Sequence, residues 1–431
     1  MRRSYPFFLS LVLLFSQLIT ACAAASPQPV AIPVTITFYK RGYEPGGKDS
    51  ASTAIDQAVA AFEKSHADIR IKVVGVPWTA NGDAQLEAAI ASGQDIHVMS
   101  IRPAEMVRFA RQGKLSNIEP YLTTQDQEDF YTNALDAARV DGKIYAWPLW
   151  VTAVSIFANT ELFQQQGVSL PTLENPWNWE TFVDAAKRLT FQRSDGSQVY
   201  GFTASSKWGE LEYYPLFYID GGRILSPDGK RFVQDSPEGL SALQKIADLY
   251  QVHRVTPLDF GSVDQATARQ QFKDGAVAMI MSSPGFLRDL EVANFPLAVL
   301  PPPTGNLEKV ITTGAFGMYA VYNSTDPQEL KAAHEFARYL TGSQVAQDVP
   351  GWQLAPGLRK SNTSYATTPQ REIIARLVSY GVYEPPSLVS DATLQRYGAE
   401  LEMVIQGSKS PQEALAAIAP MYQHELDMSE P

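Results

Sequence analysis

Seven tryptophans and nineteen tyrosines stand among the 431 residues. Their flat apolar faces can stack on the C–H faces of sugar rings, while carboxylates and amides accept hydrogen bonds from the ring hydroxyls. The candidates lie near expected strand ends and in loops: Tyr39, Tyr43, Trp78, Trp150, Trp208, Tyr213, Tyr214 and Trp352. Asp83 is the carboxylate carried with them, with Glu210 and Glu212 as alternatives, whereas Trp147, Trp177 and Trp179 read as packing residues. Bond-breaking chemistry has no comparable signature. There is no G-x-S-x-G, no H-E-x-x-H, no phosphate-binding glycine loop and no strand-end carboxylate pair of the kind glycoside hydrolysis needs. The five histidines, at 66, 97, 253, 334 and 424, lack metal-ligand spacing and read as surface or satisfied interior side chains. No catalytic residue, metal or cofactor is expected.

These side chains need elements to hold them. Val34–Tyr39 reads as a first strand, Ala54–Phe62 as an amphipathic helix, Ile69–Val74 as a second strand, Leu86–Ala91 as a helix and Asp95–Ser100 as a third strand. Strands alternating with helices predict a sheet covered on both faces. A long β-branched run at Val151–Asn159 opens a second α/β stretch, with helices over Trp179–Leu189 and Pro237–His253, the latter announced by Ser236-Pro237. From Leu330 onward the pattern is mainly helical. Size alone affords two domains.

The single cysteine is Cys22, so no disulfide framework exists and ordinary apolar cores must hold the fold. It follows Arg2-Arg3, an apolar run from Phe7 to about Leu18, and Ile19-Thr20-Ala21, the layout of an export signal too short to span a bilayer. The segment after it, Ala23–Pro33, is small and uncharged, a flexible tether. A formal charge of −11 without a basic stripe argues against nucleic acid as a partner.

Several collinear blocks resemble the extracellular solute-binding proteins of ABC importers, the group that includes maltose-binding protein. Asp141-Gly142-Lys143-Ile144-Tyr145-Ala146-Trp147-Pro148, then Phe157-Ala158-Asn159 with Phe163 and Gly167, is similar to that family's Asp-Gly-Lys-x-Tyr-x-x-Pro … Tyr-Asn-x-x-x-Phe-x-x-x-Gly block. Ala91–Ile96, Trp179–Phe182, Asp220-Gly221-Gly222 and Phe272–Met279 fit further blocks. Ile19-Thr20-Ala21-Cys22 resembles the lipobox of bacterial lipoproteins, in which the Cys thiol receives a diacylglycerol.

The resemblance implies an α/β, two-lobed periplasmic-binding-protein fold, each lobe a mixed, mainly parallel sheet flanked by helices, joined by a multi-crossover hinge. Crossings near Trp150–Ile156, Met281–Pro284 and Ala315–Val321 then give residues 1–21 as signal, 22–33 as tether, 34–149 and 284–316 as lobe 1, and 150–283 and 317–431 as lobe 2. It also turns Tyr39–Glu44, Trp78 with Asn81 and Asp83, and Trp352 toward the cleft. The family often has a carboxylate in the first crossover; here Thr152 occupies it.

The function so implied is a lipid-anchored, extracytoplasmic receptor, monomeric and not an enzyme. It would deliver a small-molecule carbohydrate, an oligosaccharide, to ABC permease subunits by hinge closure, with ligand contacts from Tyr39, Tyr43, Trp78, Asp83, Trp150, Trp208, Tyr213 and Trp352. The alternatives are a secreted carbohydrate-active enzyme, or a receptor for a polyol, glycerophosphodiester, peptide or ferric ion, the last because Tyr213-Tyr214 is similar to the paired tyrosines of ferric-ion receptors.

Overall fold

The computed structural model describes residues 33–48, 50–77, 80–207, 212–349, 352, 355–385 and 388–428. Cys22, Trp78, Trp208 and Glu210 lie outside them.

The strands are β1 Val34–Arg41, β2 Ile69–Val76, β3 Val98–Ile101, β4 Arg139–Val140, β5 Lys143–Ile144, β6 Trp147–Val151, β7 Ser155–Asn159, β8 Phe191–Gln192, β9 Gln198–Ala204, β10 Val277–Ser282, β11 Leu297–Leu300 and β12 Phe316–Val321. One five-stranded sheet has the order β2-β1-β3-β12-β6, the other β11-β7-β10-β9-β8. Both are mixed. β1 pairs in parallel with β2 and β3, and β9 with β10, while β12 pairs antiparallel with β3 and β6, and β7 antiparallel with β10 and β11. The βαβ units supply the parallel pairs. The strands that emerge from a crossing, β7 and β12, run against the other strands of their sheets and pair antiparallel with both neighbours, which reduces the parallel share below what alternation of strands and helices predicts.

Each sheet has an aromatic centre. Phe38 of β1 is fully buried, with ring centroids 5.3 Å from Tyr319 and 5.4 Å from Phe336 of the covering helix Pro327–Thr341. In the second lobe Phe202 of β9 meets Phe182 edge-on at 5.3 Å and lies 6.3 Å from Phe260. Trp147 is also interior: its indole N–H donates to His334 Nδ1 at 3.2 Å, and His334 stacks on Tyr121 with a hydrogen bond to the Ser116 hydroxyl. Burial drives the His334 pKa down to about 3, so the ring stays neutral and structural. The Ser236-Pro237 start is realised in the helix Pro237–Gln251, where Ser236 Oγ accepts from Gly239 N–H.

Two chain crossings lie side by side between the sheets. The first, Thr152–Val154, links β6 to β7; the second, Thr312–Ala315, links β11 to β12. Thr152 N–H donates to Ala315 O (3.1 Å), Val154 N–H to Thr313 O (2.9 Å) and Ala315 N–H to Thr152 Oγ1 (2.7 Å). Gly314 makes this approach feasible, since a Cβ there would stand 2.5 Å from Thr152 Oγ1. Thr152, which replaces the carboxylate that the resemblance would put in this stretch, thus bridges the hinge strands.

The lobe boundaries differ from the sequence expectation. Met281–Pro284 is no crossing: β10 runs directly into the helix Pro284–Val292, and β11 then pairs with β7, so residues 284 to about 311 belong to the second lobe rather than the first. Conversely, β12 joins the first sheet and the helix Pro327–Thr341 packs on β1, β12 and β6, which places 316 to about 360 in the first lobe. The third crossing comes later. Lys360 N–H still bonds Asp129 O, whereas Arg371 is ion-paired with Glu291 at 2.6 Å in the second lobe. The helices Asp391–Ile405 and Pro411–Met428 then pack on Pro237–Gln251. An apolar strand followed by a Pro-started helix looks the same in sequence whether or not the chain changes lobe, because the partner strand alone decides it.

Among the described residues no helix is long and apolar enough to cross a membrane, and no group of His, Cys, Asp and Glu is arranged to hold a metal ion.

Candidate functional site

A cavity of about 770 Å³ lies between the sheets, with walls from both lobes and a floor formed by the paired crossings. The first lobe contributes Lys40 from β1 and Ser100–Pro103 from the end of β3 into the helix Pro103–Arg111. Trp150, Thr152 and Thr313–Gly317 come from the hinge and its flanking strands. The second lobe contributes Glu212, Tyr214, Tyr218, Gln265 and Ser283, joined by Tyr383 and Glu384 from the returning chain. Ligands of open α/β sheets bind at strand ends of this kind.

Trp150 and Tyr214 are the expected aromatics that line this cavity, and Trp150 sits at its floor. It faces Gly317 across the β6–β12 ladder, where the register shifts between Gly317 and Met318. A Cβ on Gly317 would stand 2.2 Å from Cε2 of the indole, so the ring rests on bare backbone, half-buried and lining the cavity. Phe316 and Tyr383 add an aromatic pair, edge to face at 4.3 Å. The Tyr383 hydroxyl and the Ser100 hydroxyl are buried without a hydrogen-bond partner among the described residues.

Two carboxylates line the second-lobe side. Glu212, 4% exposed, accepts from Ser282 Oγ (2.9 Å), Ser283 N–H (3.0 Å), Arg269 Nη2 (3.0 Å) and Gln265 Nε2 (3.1 Å). Glu384 accepts from the N–H groups of Ile224 (2.9 Å) and Leu225 (3.1 Å) and from the Tyr218 hydroxyl. Burial raises the Glu384 carboxyl above the ordinary range, and these donors oppose the rise.

The other expected residues are placed elsewhere, each for a local reason. The Tyr39 hydroxyl donates to Gln94 Oε1 at 2.7 Å and the residue is buried in the first-lobe core; its neighbour Lys40, on the opposite strand face, lines the cavity. Tyr43 bonds Asp56 at 2.8 Å on the outer side. Asp83 bridges Arg41 (2.7 Å) and Arg102 (3.0 Å), bracing the wall from behind; burial raises its pKa, but the two guanidiniums outweigh this and hold it low. Tyr213 is fully buried against Phe217 and Phe260, while Tyr214 faces the cavity. The Trp352 indole N–H donates to Leu340 O at 3.2 Å and packs on the first-lobe core. Trp78 and Trp208 lie outside the described residues. Of the alternative carboxylates, Glu212 reaches the cavity and Glu210 lies outside the described residues. Phe316, Gly317, Tyr383 and Glu384 were not singled out in the sequence.

A ligand cavity shared by two sheets and floored by paired hinge strands defines a two-lobed periplasmic binding protein. The chain belongs to the bacterial extracellular solute-binding protein family, whose model matches residues 47–347. A putative binding protein of Brucella abortus is 26% identical over 274 residues, and the match spans 62% of this chain and 62% of that relative's length. The multiple sugar-binding protein of Streptococcus mutans is 22% identical over 372 residues, covering 83% of this chain and 84% of that one. Among solved structures, the cyclic alpha-maltosyl-1,6-maltose binding protein from Arthrobacter globiformis superposes with a TM-score of 0.78 at 18% identity, over 92% of this chain and all of that one.

Proposed function

We propose that the protein is the extracytoplasmic receptor of an ABC importer and that it closes on a carbohydrate, an oligosaccharide, to deliver it to the permease. The observation that carries this reading is the make-up of the cavity: the Trp150 indole and the Phe316–Tyr383 pair beside fixed polar groups, in a volume that suits an oligosaccharide. The similarity to a multiple sugar-binding protein and to a cyclic alpha-maltosyl-1,6-maltose binding protein supports it. Closure about the paired crossings would bury the sugar and present a joined surface to the permease. The two cavity carboxylates act as acceptors and braces rather than as an acid–nucleophile pair, since both Glu212 oxygens are already engaged and Glu384 is held by two backbone N–H groups. On this reading a purified sample leaves glycans uncleaved.

Thermal-shift measurement against a panel of mono- and oligosaccharides tests the proposal. A ligand at a hundredfold excess over Kd stabilises the folded state by about 2.7 kcal/mol, a rise of several degrees in Tm. If no saccharide raises Tm while another solute class does, the carbohydrate reading fails.

Lipid attachment at Cys22 would keep the receptor beside its transporter. Cys22→Ala should move the protein from the membrane fraction to the soluble fraction in cell fractionation; unchanged membrane association would refute the anchor.

A further inference from the structure

We propose that the bound sugar carries one carboxylate, as a uronic acid does, with the Lys40 ammonium on the first-lobe wall as its counter-charge; this rests on the carbohydrate reading above. Lys40 lines the cavity and is half-buried. Its Nζ donates to the Arg41 carbonyl at 2.7 Å, and among the described residues no carboxylate forms an ion pair with it.

The surroundings explain why. Arg41, 1% exposed, holds Asp83 at 2.7 Å and Glu105 at 2.5 Å, and Arg102 holds Asp83 at 3.0 Å. Glu105 also accepts from Arg102 N–H at 2.9 Å. Among the described residues three cations on this wall thus meet two carboxylates, both engaged by guanidinium groups, and Lys40 is the cation that neither carboxylate pairs with. The unpartnered Ser100 hydroxyl belongs to the same wall.

Across the cavity the carboxylates are already compensated, Glu212 by Arg269 and its three other donors, Glu384 by two N–H groups and Tyr218 with Arg223 near by. The acid end of a ligand is therefore directed to the first-lobe wall. The overall charge of −11 favours a single negative group over several.

Closure sharpens the demand. Removing an ammonium from water without a counter-ion is costly, and a hydrogen-bonded carboxylate offsets that cost. Burial has already lowered the Lys40 pKa to about 8. A neutral sugar sealed over it would expel its proton near that pH, whereas a uronate would retain it.

Titration calorimetry of the full chain tests this with di- to tetrasaccharides, each in neutral form and with one C6 oxidised to the carboxylate. The tightest ligand should be an acidic form, about tenfold or more tighter than its neutral match, as expected of a charge-assisted contact. Lys40→Gln should bring that ratio toward one, and Lys40→Arg should restore it. At pH 8, in buffers of different ionisation enthalpy, neutral sugars should release a proton on binding and acidic ones should not. Unchanged Tm of the free variants confirms that they fold. Neutral sugars binding as tightly as acidic ones, or a ratio untouched by Lys40→Gln, would overturn the proposal and leave the carbohydrate reading standing. Failure of every saccharide in both forms overturns both.

Discussion

Trp150→Ala should weaken ligand affinity by roughly 30- to 1000-fold, the range of about 2–4 kcal/mol typical of a central aromatic anchor. The indole sits where both lobes meet, on the strand that enters the first crossing, so a sugar ring stacked on it is held at the point where closure removes the most water. Gly317→Ala separates the face from the residue. Its Cβ would have to occupy space 2.2 Å from indole Cε2, so the ring must tilt off the backbone while Trp150 itself remains. The expected loss is smaller than for Trp150→Ala but in the same direction, at about 10-fold or more. Trp150→Phe should retain part of the affinity through the smaller face. Calorimetric titration with the best saccharide from the thermal-shift panel measures all three. Affinities within twofold of the parent for Trp150→Ala would remove this residue from the binding surface.

The fold was largely legible in the sequence because alternation of short β-branched runs with amphipathic helices reports the elements directly. Val34–Tyr39, Ile69–Val74 and Trp179–Leu189 are each realised within two or three residues. The site was less legible, and the misplaced positions show why. Residues 36–39 of β1 are all buried, Thr37 included, so the alternation of Val34-Thr35-Ile36-Thr37-Phe38 marks no solvent face, and nothing in the local sequence says that Lys40 rather than Tyr39 faces the cavity. Tyr213-Tyr214 poses the same problem at a turn into a short helix, where one tyrosine packs on Phe260 and the other lines the cavity. Trp150 could be found because it precedes a crossing that the pattern change marks. Tyr383 and Glu384 could not, because they reach the cavity through a late return of the chain with no counterpart in local periodicity. The lobe exchange of residues 284 to about 311 and 317 to about 360 has the same origin: strand pairing is set by long-range contacts, which a window of neighbours does not contain.

Glu212 stands where those long-range contacts converge, and the second large effect is expected there. Glu212→Ala should destabilise the protein by about 3–5 kcal/mol, the loss found when one partner of a buried ion pair is removed. The carboxylate ties its own segment to three others: Arg269 and Gln265 on the helix Gln265–Lys273, Ser282 at the end of β10, and the N–H of Ser283 at the start of the helix Pro284–Val292. Alanine would leave the Arg269 guanidinium, only 19% exposed, without its counter-charge. Glu212→Gln keeps the shape and an acceptor oxygen but not the charge, so its cost should be intermediate, about 1–3 kcal/mol. Urea unfolding of the two variants, followed by fluorescence, gives both values. Because Ser283 and Gln265 also line the cavity, their loosening should lower sugar affinity in the same order, alanine more than glutamine. A Glu212→Ala protein as stable as the parent would mean that Arg269 finds another counter-charge, and Glu212 would then be a ligand acceptor alone rather than the brace of the second-lobe wall.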